Sequence, residues 1–537
     1  MHRKEPSILE SPLPPVEVPS LTLARYLREQ ARLRPERIAI VDAVSGRTLS
    51  YGELDWQIGR FAAGLAAHGF RSGDTLLMFA PNVPEWPVAA LGALAAGGVV
   101  SGANPLNGAM DLARQMRDTN ARFVLTIPAL RATAQEAAAS AGGATVVVPG
   151  AAAGAAELAY ESLLACTDCE PAVAENPDAI AALPYSSGTS GLQKGVVLTH
   201  RTILSNVVQY NAATFEPGVA ERMVVLALLP MFHIFGFTVI MLCGLARGVR
   251  LITLAHFEPA SFLQALQQHR VTHLAVVPPM LHFLTMHPLA GSYDLSSLEK
   301  IGCGAAPLAG ALECRASERM RCQVAQGYGM TESSGVIATT YPGRHRVGSS
   351  GQLLPGTQAR VVDPLSGADA PRGEPGEIWF RGPQAFKGYL NEPAATASTI
   401  TPEGWVRTGD IGHIDGDGYL YVTDRLKELI KVKGFQVAPA ELEALLCTHP
   451  QVADAAVIGR PDERAGELPV GYVVARGALD PAALKSWVAQ QVCDYKQLVD
   501  IVVCEAIPKT ASGKILRRVL RAQDGSRAAA AGGAAAT

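Results

Sequence analysis

A chain of 537 residues, 48% hydrophobic and 18% charged, is too long for one hydrophobic core, which stops growing near about 250–300 residues, so several packed units are expected. A formal net charge of -3 leaves no basic footprint for nucleic acid and points to small-molecule ligands. Nine scattered cysteines are odd in number and argue against a disulfide framework and for a reducing compartment; Cys166 and Cys169 form a CxxC without the second pair that a zinc site requires.

The first residues are charged and then proline-rich, with no apolar stretch behind them, so no export signal is expected and the cytoplasm is the expected location. After a disordered-looking start, apolar spacing predicts helices over 21–33 and 54–68 around a strand at 38–41. Strand and helix then alternate through 75–79, 86–96, 98–100, 109–119 and 123–126, the pattern of parallel sheets covered by helices. Residues 132–156 are mostly Ala, Gly and Val, and predict a small helix and strand without a site. The apolar stretches 226–236 and 237–245 are broken by Pro230, His233 and Gly236, so they predict strand, loop and helix rather than a membrane span.

A second α/β unit is expected over 202–308, followed by a strand-rich stretch, 348–421, cut by Gly and Pro. A fresh pattern begins beyond 424: strand 428–432, helix 440–448, strands 452–459 and 470–475, helix 481–491 and strand 501–503. The fold class is therefore α/β: a large N-terminal domain, 20–424, of parallel-sheet subdomains plus a strand-rich subdomain, then a small α+β domain, 425–522. The Ala/Gly-rich tail, 523–537, is expected to be disordered.

The chemistry concentrates in a run that follows the apolar residues 180–183. Ser186, Ser187, Gly188, Thr189, Ser190 and Gly191 lead to Lys194. Glycines let backbone N–H groups close around phosphate oxygens, hydroxyls add donors, and a lysine balances the charge. The run is not a Walker A loop, because no Gly-Lys-Ser/Thr follows the first glycine at the required spacing.

This run resembles the signature loop of the adenylate-forming superfamily of acyl-CoA synthetases, luciferases and peptide-synthetase adenylation domains. Further segments similar to that family's motifs follow in order: Pro230-Met231-Phe232-His233, Gly304-Ala305-Ala306-Pro307, Gln326-Gly327-Tyr328-Gly329-Met330-Thr331-Glu332, Thr408-Gly409-Asp410, Asp424-Arg425-Leu426-Lys427-Glu428 and the segment ending at Gly513-Lys514. Lys431, Lys433, Gly434, Phe435 and Gln436 resemble the 4-coumarate:CoA ligase branch.

The resemblance implies ATP, Mg²⁺ and coenzyme A, with a small carboxylic acid as the other partner. It implies that Tyr328 stacks on adenine beside Ala305, Gln326 and Gly327, and that Asp410 and Arg425 hold the ribose. Glu332, with Thr189 or Thr331, is implied to hold Mg²⁺. Lys514 is implied to stabilise the adenylation transition state, with His233 gating the acyl channel. Lys427 is the implied hinge about which the small domain turns. Lys433 and Gly434 would border the coenzyme A channel, and Lys431 and Gln436 would contact the adenylate.

The implied acyl pocket is Phe235, Val239, Gly302, Cys303, Gly304, Gly335 and Val336. It departs from the plant pattern, where a tyrosine and a serine stand at the places of Phe235 and Val239, a methionine at Gly302 and a proline at Gly335. A cinnamate-type acid is expected, with the 4-hydroxyl not obviously read; a medium- or long-chain fatty acid, or transfer to a carrier protein, are the alternatives. A monomer or homodimer is expected.

Overall fold

Four sheets are formed by the described residues of the protein, for which a computed structural model describes residues 8–150, 154, 156–186, 193–214, 216, 218–433, 435–462, 464–510 and 513–534. The central sheet has nine strands in the spatial order Gln352–Leu353, Ala338–Thr339, Gln323–Tyr328, Lys300–Cys303, His273–Val276, Val224–Ala227, Arg250–Thr253, Ile38–Asp42 and Thr48–Ser50. Its inner strands, from Gln323–Tyr328 to Ile38–Asp42, are all parallel. The strand expected at 38–41 spans Ile38–Asp42 and pairs with Arg250–Thr253, far away in the sequence, placing Ile40 opposite Leu251.

A second nine-stranded sheet carries Thr75–Phe79, Val99–Gly102 and Ala121–Thr126 at its parallel centre and the hairpin Tyr185–Ser186/Lys194–Thr199 at one side. Helices Tyr51–Ala67 and Glu85–Ala95 pack against each other. The first begins at a capping box in which Ser50 and Glu53 satisfy each other's backbone N–H groups, a device worth about 1 kcal/mol. The second is buried from Glu85 through Leu94, as an all-round apolar helix must be. One hydrophobic core runs through both sheets.

The strand-rich region forms an antiparallel sheet, Gln358–Val362, Gly376–Arg381, Val406–Ile414 and Leu420–Arg425. The residues expected to be a disordered start contribute its edge strand, Leu9–Glu10, with Leu9 opposite Ala359. Beyond Arg425 a five-stranded sheet and two helices, Pro439–Thr448 and Pro481–Ala489, enclose a separate core around Val432, Leu442, Val457 and Val488.

The expectation of disorder after 522 is corrected for 523–534, because a helix spans Arg517–Ala534. Alanine has the highest helix propensity, and composition alone misses the anchor that docks the helix. Asp524 is buried and accepts two hydrogen bonds from Arg460, each 2.7 Å, and one from Tyr472 at 2.9 Å. Hydrogen bonding from Arg460 holds its carboxyl below the usual range.

Hydrogen bonds to charged groups contribute about 1.5–3 kcal/mol. Asp524→Ala should lower the unfolding free energy by about 2 kcal/mol and release amide protection along 517–527, read by hydrogen exchange. In the parent protein the same contribution is present at neutral pH and fades as pH falls through the lowered carboxyl pKa.

Candidate active site

A cavity of about 1760 Å³ opens where the carboxyl ends of the central strands, the strand-rich sheet and the C-terminal domain converge. Drug-sized pockets usually hold about 300–1,000 Å³, so this one accommodates a nucleotide and a second ligand together. Its position outside the carboxyl ends of parallel strands is the usual ligand site of open α/β sheets.

Tyr328 ends the strand Gln323–Tyr328, and its hydroxyl donates to Asp410 Oδ2 at 2.7 Å. Asp410 and Arg425 stand opposite each other on paired strands, and Arg425 Nε donates to Asp410 Oδ1 at 3.1 Å. Asp410 is only 6% exposed, so the guanidinium and the phenol satisfy a carboxylate that burial would otherwise penalise. Burial, with Asp410 adding to it, holds the Tyr328 phenol well above its ordinary value, so it donates rather than ionises. Ala305 adopts φ of 70°, a left-handed conformation that a residue with a Cβ pays for in strain and that clusters at functional sites.

Glu332 lies in the short turn Thr331–Ser333, buried beside the buried Thr331. Its Oε1 accepts from Tyr389 Oη at 2.9 Å, and its backbone carbonyl accepts from Phe386 N at 2.9 Å. Lys194 Nζ sits 5.1 Å from the centroid of the Tyr389 ring. Ser186 and Lys194 face each other in the hairpin register, and Val196 faces Tyr389. Tyr389 thus ties the lysine of the hydroxyl-rich run to Glu332. Sequence reading missed it, because it belongs to a two-residue strand, Gly388–Tyr389, with no surrounding pattern of chemical groups. Ser187, Gly188, Thr189, Ser190 and Gly191, expected to bind phosphate, lie outside the described residues, as does Gly434.

Lys514 comes from the far domain. Its backbone N donates to Thr510 Oγ1 at 3.1 Å, and Thr510 N donates back to its carbonyl at 2.8 Å. Gly513, at φ of 79°, would place a Cβ 3.3 Å from Val277 and Pro279 of the large domain, so the loop seats closely on that surface. Burial, then Arg425, lowers the Lys514 pKa to about 8, against the pull of Asp410 and Glu332. His233 is pushed down to about 3 by burial and then by Lys514. Its Nδ1 accepts from Phe235 N at 3.4 Å, which leaves Nε2 to carry the proton of the neutral ring.

The expected acyl residues line one arm of the same cavity. Phe235 and Val239 project from a π-helix, Phe235–Leu242, a rare geometry that recurs at functional sites. Gly335, at φ of 140°, would bring a Cβ to 2.7 Å from Asn206 Oδ1, so the position requires glycine. Asn206 in turn holds Val336 through its N–H at 3.0 Å and its carbonyl at 2.7 Å. Cys303 is buried, and burial pushes its thiol upward, so it is an inert wall.

Not every expected residue comes to the site in the expected way. The Gln326 side-chain amide donates to Leu308 O at 3.2 Å and to Glu313 Oε2 at 2.7 Å, so those donors are engaged by the protein. Lys427 and Gln436 line the cavity, whereas Lys431 and Lys433 are exposed and do not. Among the described residues no group of three or more His, Cys, Asp or Glu converges as a metal cage. A single carboxylate, Glu332, suits a Mg²⁺ held mainly by substrate oxygens and water.

Comparisons with known proteins agree with this geometry. The sequence profile of the AMP-binding enzyme family matches residues 27–390, and that of the AMP-binding enzyme C-terminal domain matches 441–514. The chain is 40% identical to 4-coumarate–CoA ligase 5 of Oryza sativa subsp. japonica, over 97% of this chain and 98% of the relative. It is 37% identical to 4-coumarate–CoA ligase 1 of Petroselinum crispum, over 97% of each. Among solved structures, ATP-bound MatB from Rhodopseudomonas palustris aligns with a TM-score of 0.84 at 29% identity, covering 94% of this chain and 99% of that one. A benzoate CoA ligase from Burkholderia xenovorans LB400 aligns at 0.83 with 27% identity, covering 93% and 99%.

The pairing of Lys514 with a neutral His233 makes a direct expectation. An unperturbed histidine titrates at about 6.5, but His233 should stay neutral throughout that range in an NMR titration of its ring carbons. Lys514→Met should raise the His233 pKa, because it removes the opposing charge; an unchanged titration would place the two groups apart in solution.

Proposed function

The chain belongs to the AMP-binding enzyme family, and from that premise we propose that it is an AMP-forming acid–CoA ligase acting on a cinnamate-type carboxylic acid. The acid and ATP give an acyl-adenylate and pyrophosphate, and coenzyme A then displaces AMP to give the thioester. The observation that carries this reading is Lys514, supplied by the small domain, enclosed with Arg425, Asp410 and Glu332 in one cavity. The acid class follows the 4-coumarate–CoA ligases that this chain matches over nearly its whole length.

Each residue has a task its chemistry allows. Tyr328 offers a flat ring to the adenine, held by its hydrogen bond to Asp410. Asp410 accepts from the ribose hydroxyls and Arg425 donates to them. Lys194 and the hydroxyl-rich run ahead of it cradle the phosphates. Mg²⁺ bound at Glu332 would neutralise phosphate charge and screen the leaving pyrophosphate. Tyr389 fixes the Glu332 carboxylate for that purpose. Lys514 donates to the oxygens that gather charge as the carboxylate attacks the α-phosphorus. His233, neutral and planar, walls the acid's carboxyl end. All nine cysteines are free, which suits a cytoplasmic enzyme.

Lys514 inside and Lys431 and Lys433 outside describe the arrangement for the first half-reaction. For the second, the small domain turns about the exposed Lys427, in the turn between Leu420–Arg425 and Ile430–Val432, withdrawing Lys514 and presenting the Lys431–Gln436 hairpin.

Loss of one such donor typically costs about 10²–10³ in rate. Lys514→Ala should therefore depress acid-dependent pyrophosphate release at least that far, while thioester formation from preformed acyl-adenylate is largely retained. Equal loss of both steps would deny Lys514 its place in the first.

Because the charged lysine is the active form and its pKa is about 8, kcat/KM for ATP should fall as pH rises beyond about 8, the limb that reports the free enzyme. The corresponding limb in kcat should lie higher, since bound phosphates favour the charged form.

A further inference from the structure

The acyl arm of the cavity continues past Gly302 toward Lys300. Side chains alternate along a strand, so Lys300 and Gly302 share one face of Lys300–Cys303 while Ile301 and Cys303, both buried, take the other. His273 and Ala275 stand opposite Lys300 and Gly302 on the next strand, and Ala325 flanks Gly302 from the other side. Gly302, Ala275 and Ala325 make a floor of minimal side chains, and a Cβ added at Gly302 would meet nothing within 4 Å. Tyr210, Asn211, Val239 and Cys243 line the same cavity from the helices. The lane from Gly304 to Lys300 is roughly 13 Å long, at about 3.3 Å per residue.

Its far end is polar. Lys300, Arg247, His273, Thr214 and Asn211 all border the cavity there. Arg247 is engaged, donating to Asn211 O at 3.1 Å and to Thr214 Oγ1 at 2.5 Å. Lys300 has no ion pair within 4 Å among the described residues, and burial, opposed by Glu216, lowers its pKa. Asn211 Oδ1 is buried without a hydrogen-bond partner among the described residues. The His273 ring is kept neutral, its pKa lowered to about 4 chiefly by burial. A wholly apolar acid filling this lane would take water from the Lys300 ammonium, at a cost that only a hydrogen-bonding ligand offsets.

We propose that the acid activated here carries an oxygen function at the end remote from its carboxyl, and that Lys300, at the far end of the Gly302 lane, receives it. This rests on the acid-activating function proposed above and deepens it. Phe235 and Val239, which lack the hydroxyls that could read a phenol, are then flanking walls, and recognition moves two residues deeper along the strand than Gly302. A hydroxyl would accept from Lys300, and a carboxylate would pair with it.

Matched acids test this through acid-dependent AMP formation by the full-length enzyme with ATP, Mg²⁺ and coenzyme A. The pairs are 4-coumarate against 4-methylcinnamate, and sebacate against decanoate. The wild type should favour the oxygen-tailed member of one pair by at least about tenfold in kcat/KM, the pair identifying phenol or carboxylate, since a site built to hydrogen-bond a group rejects its apolar analogue. Lys300→Met should collapse that preference to about twofold or less. Equal use of both members of both pairs by the wild type overturns the inference, whether or not the variant folds, and so does a preference that survives Lys300→Met. In either case the ligase function stands. Absence of AMP with every acid overturns the ligase function itself, and this inference with it.

Discussion

The structure turns on one enclosed cation, Lys514. Its ammonium is drawn from water into a cavity where burial, the largest influence, and Arg425 oppose its charge and Asp410 and Glu332 support it. A lysine under that balance is not satisfied by the protein. It is a receptor for negative charge whose affinity rises as phosphate and carboxylate approach, because the same desolvation that lowers its pKa strengthens each interaction it makes. The neutral state of His233 follows first from its own burial and then from the nearby Lys514, since two neighbouring cations in one dry site would repel.

That placement depends on the whole small domain. Thr510 and Lys514 are joined by paired hydrogen bonds, and Gly513 is pressed against Val277 and Pro279. Behind it, Arg517 pairs with Glu443 at 2.7 Å, and the Asp424 carboxylate accepts from Ala440 N at 2.8 Å, joining the last strand of the large domain to the first turn of the helix Pro439–Thr448. Asp424 is 6% exposed and, through burial, its carboxyl lies above the usual range. The site thus depends on charges held at the junction as much as on those facing the cavity. A domain joined by such polar contacts is more readily re-seated than one joined by a continuous apolar interface, which suits the proposed exchange of Lys514 for a thiol.

The sequence made local features legible and non-local ones obscure. Apolar periodicity located the helices at 23–32, 51–67 and 109–118 and the strands at 75–79 and 121–126 to within a few residues, because each buries a face fixed by its own spacing. The convergence of Lys514, Glu332, Asp410 and Arg425 on one cavity was legible because those residues stand in runs of characteristic composition. Pairing of Ile38–Asp42 with a strand more than two hundred residues away, and of Leu9 with Ala359, was not, since any apolar strand of matching length could fill those places. Tyr389 and Asp524 were missed for a related reason: each gains its role from a partner brought close by folding, Glu332 for one and Arg460 for the other.

The acyl pocket shows how little residue identity says without space. Gly302, Gly304 and Gly335 all line it and look interchangeable in the sequence. A Cβ at Gly335 would strike Asn206, whose two hydrogen bonds hold the adjoining Val336 backbone, and one at Gly304 would lie 3.2 Å from the Phe235 ring. Only at Gly302 is there open room. The first two glycines therefore answer to the scaffold, one by backbone conformation and neighbour, the other by aromatic packing. Gly302 is left to answer to the ligand, so the depth of the pocket, and with it the length of acid admitted, is set at a position where side chains can change without disturbing the fold.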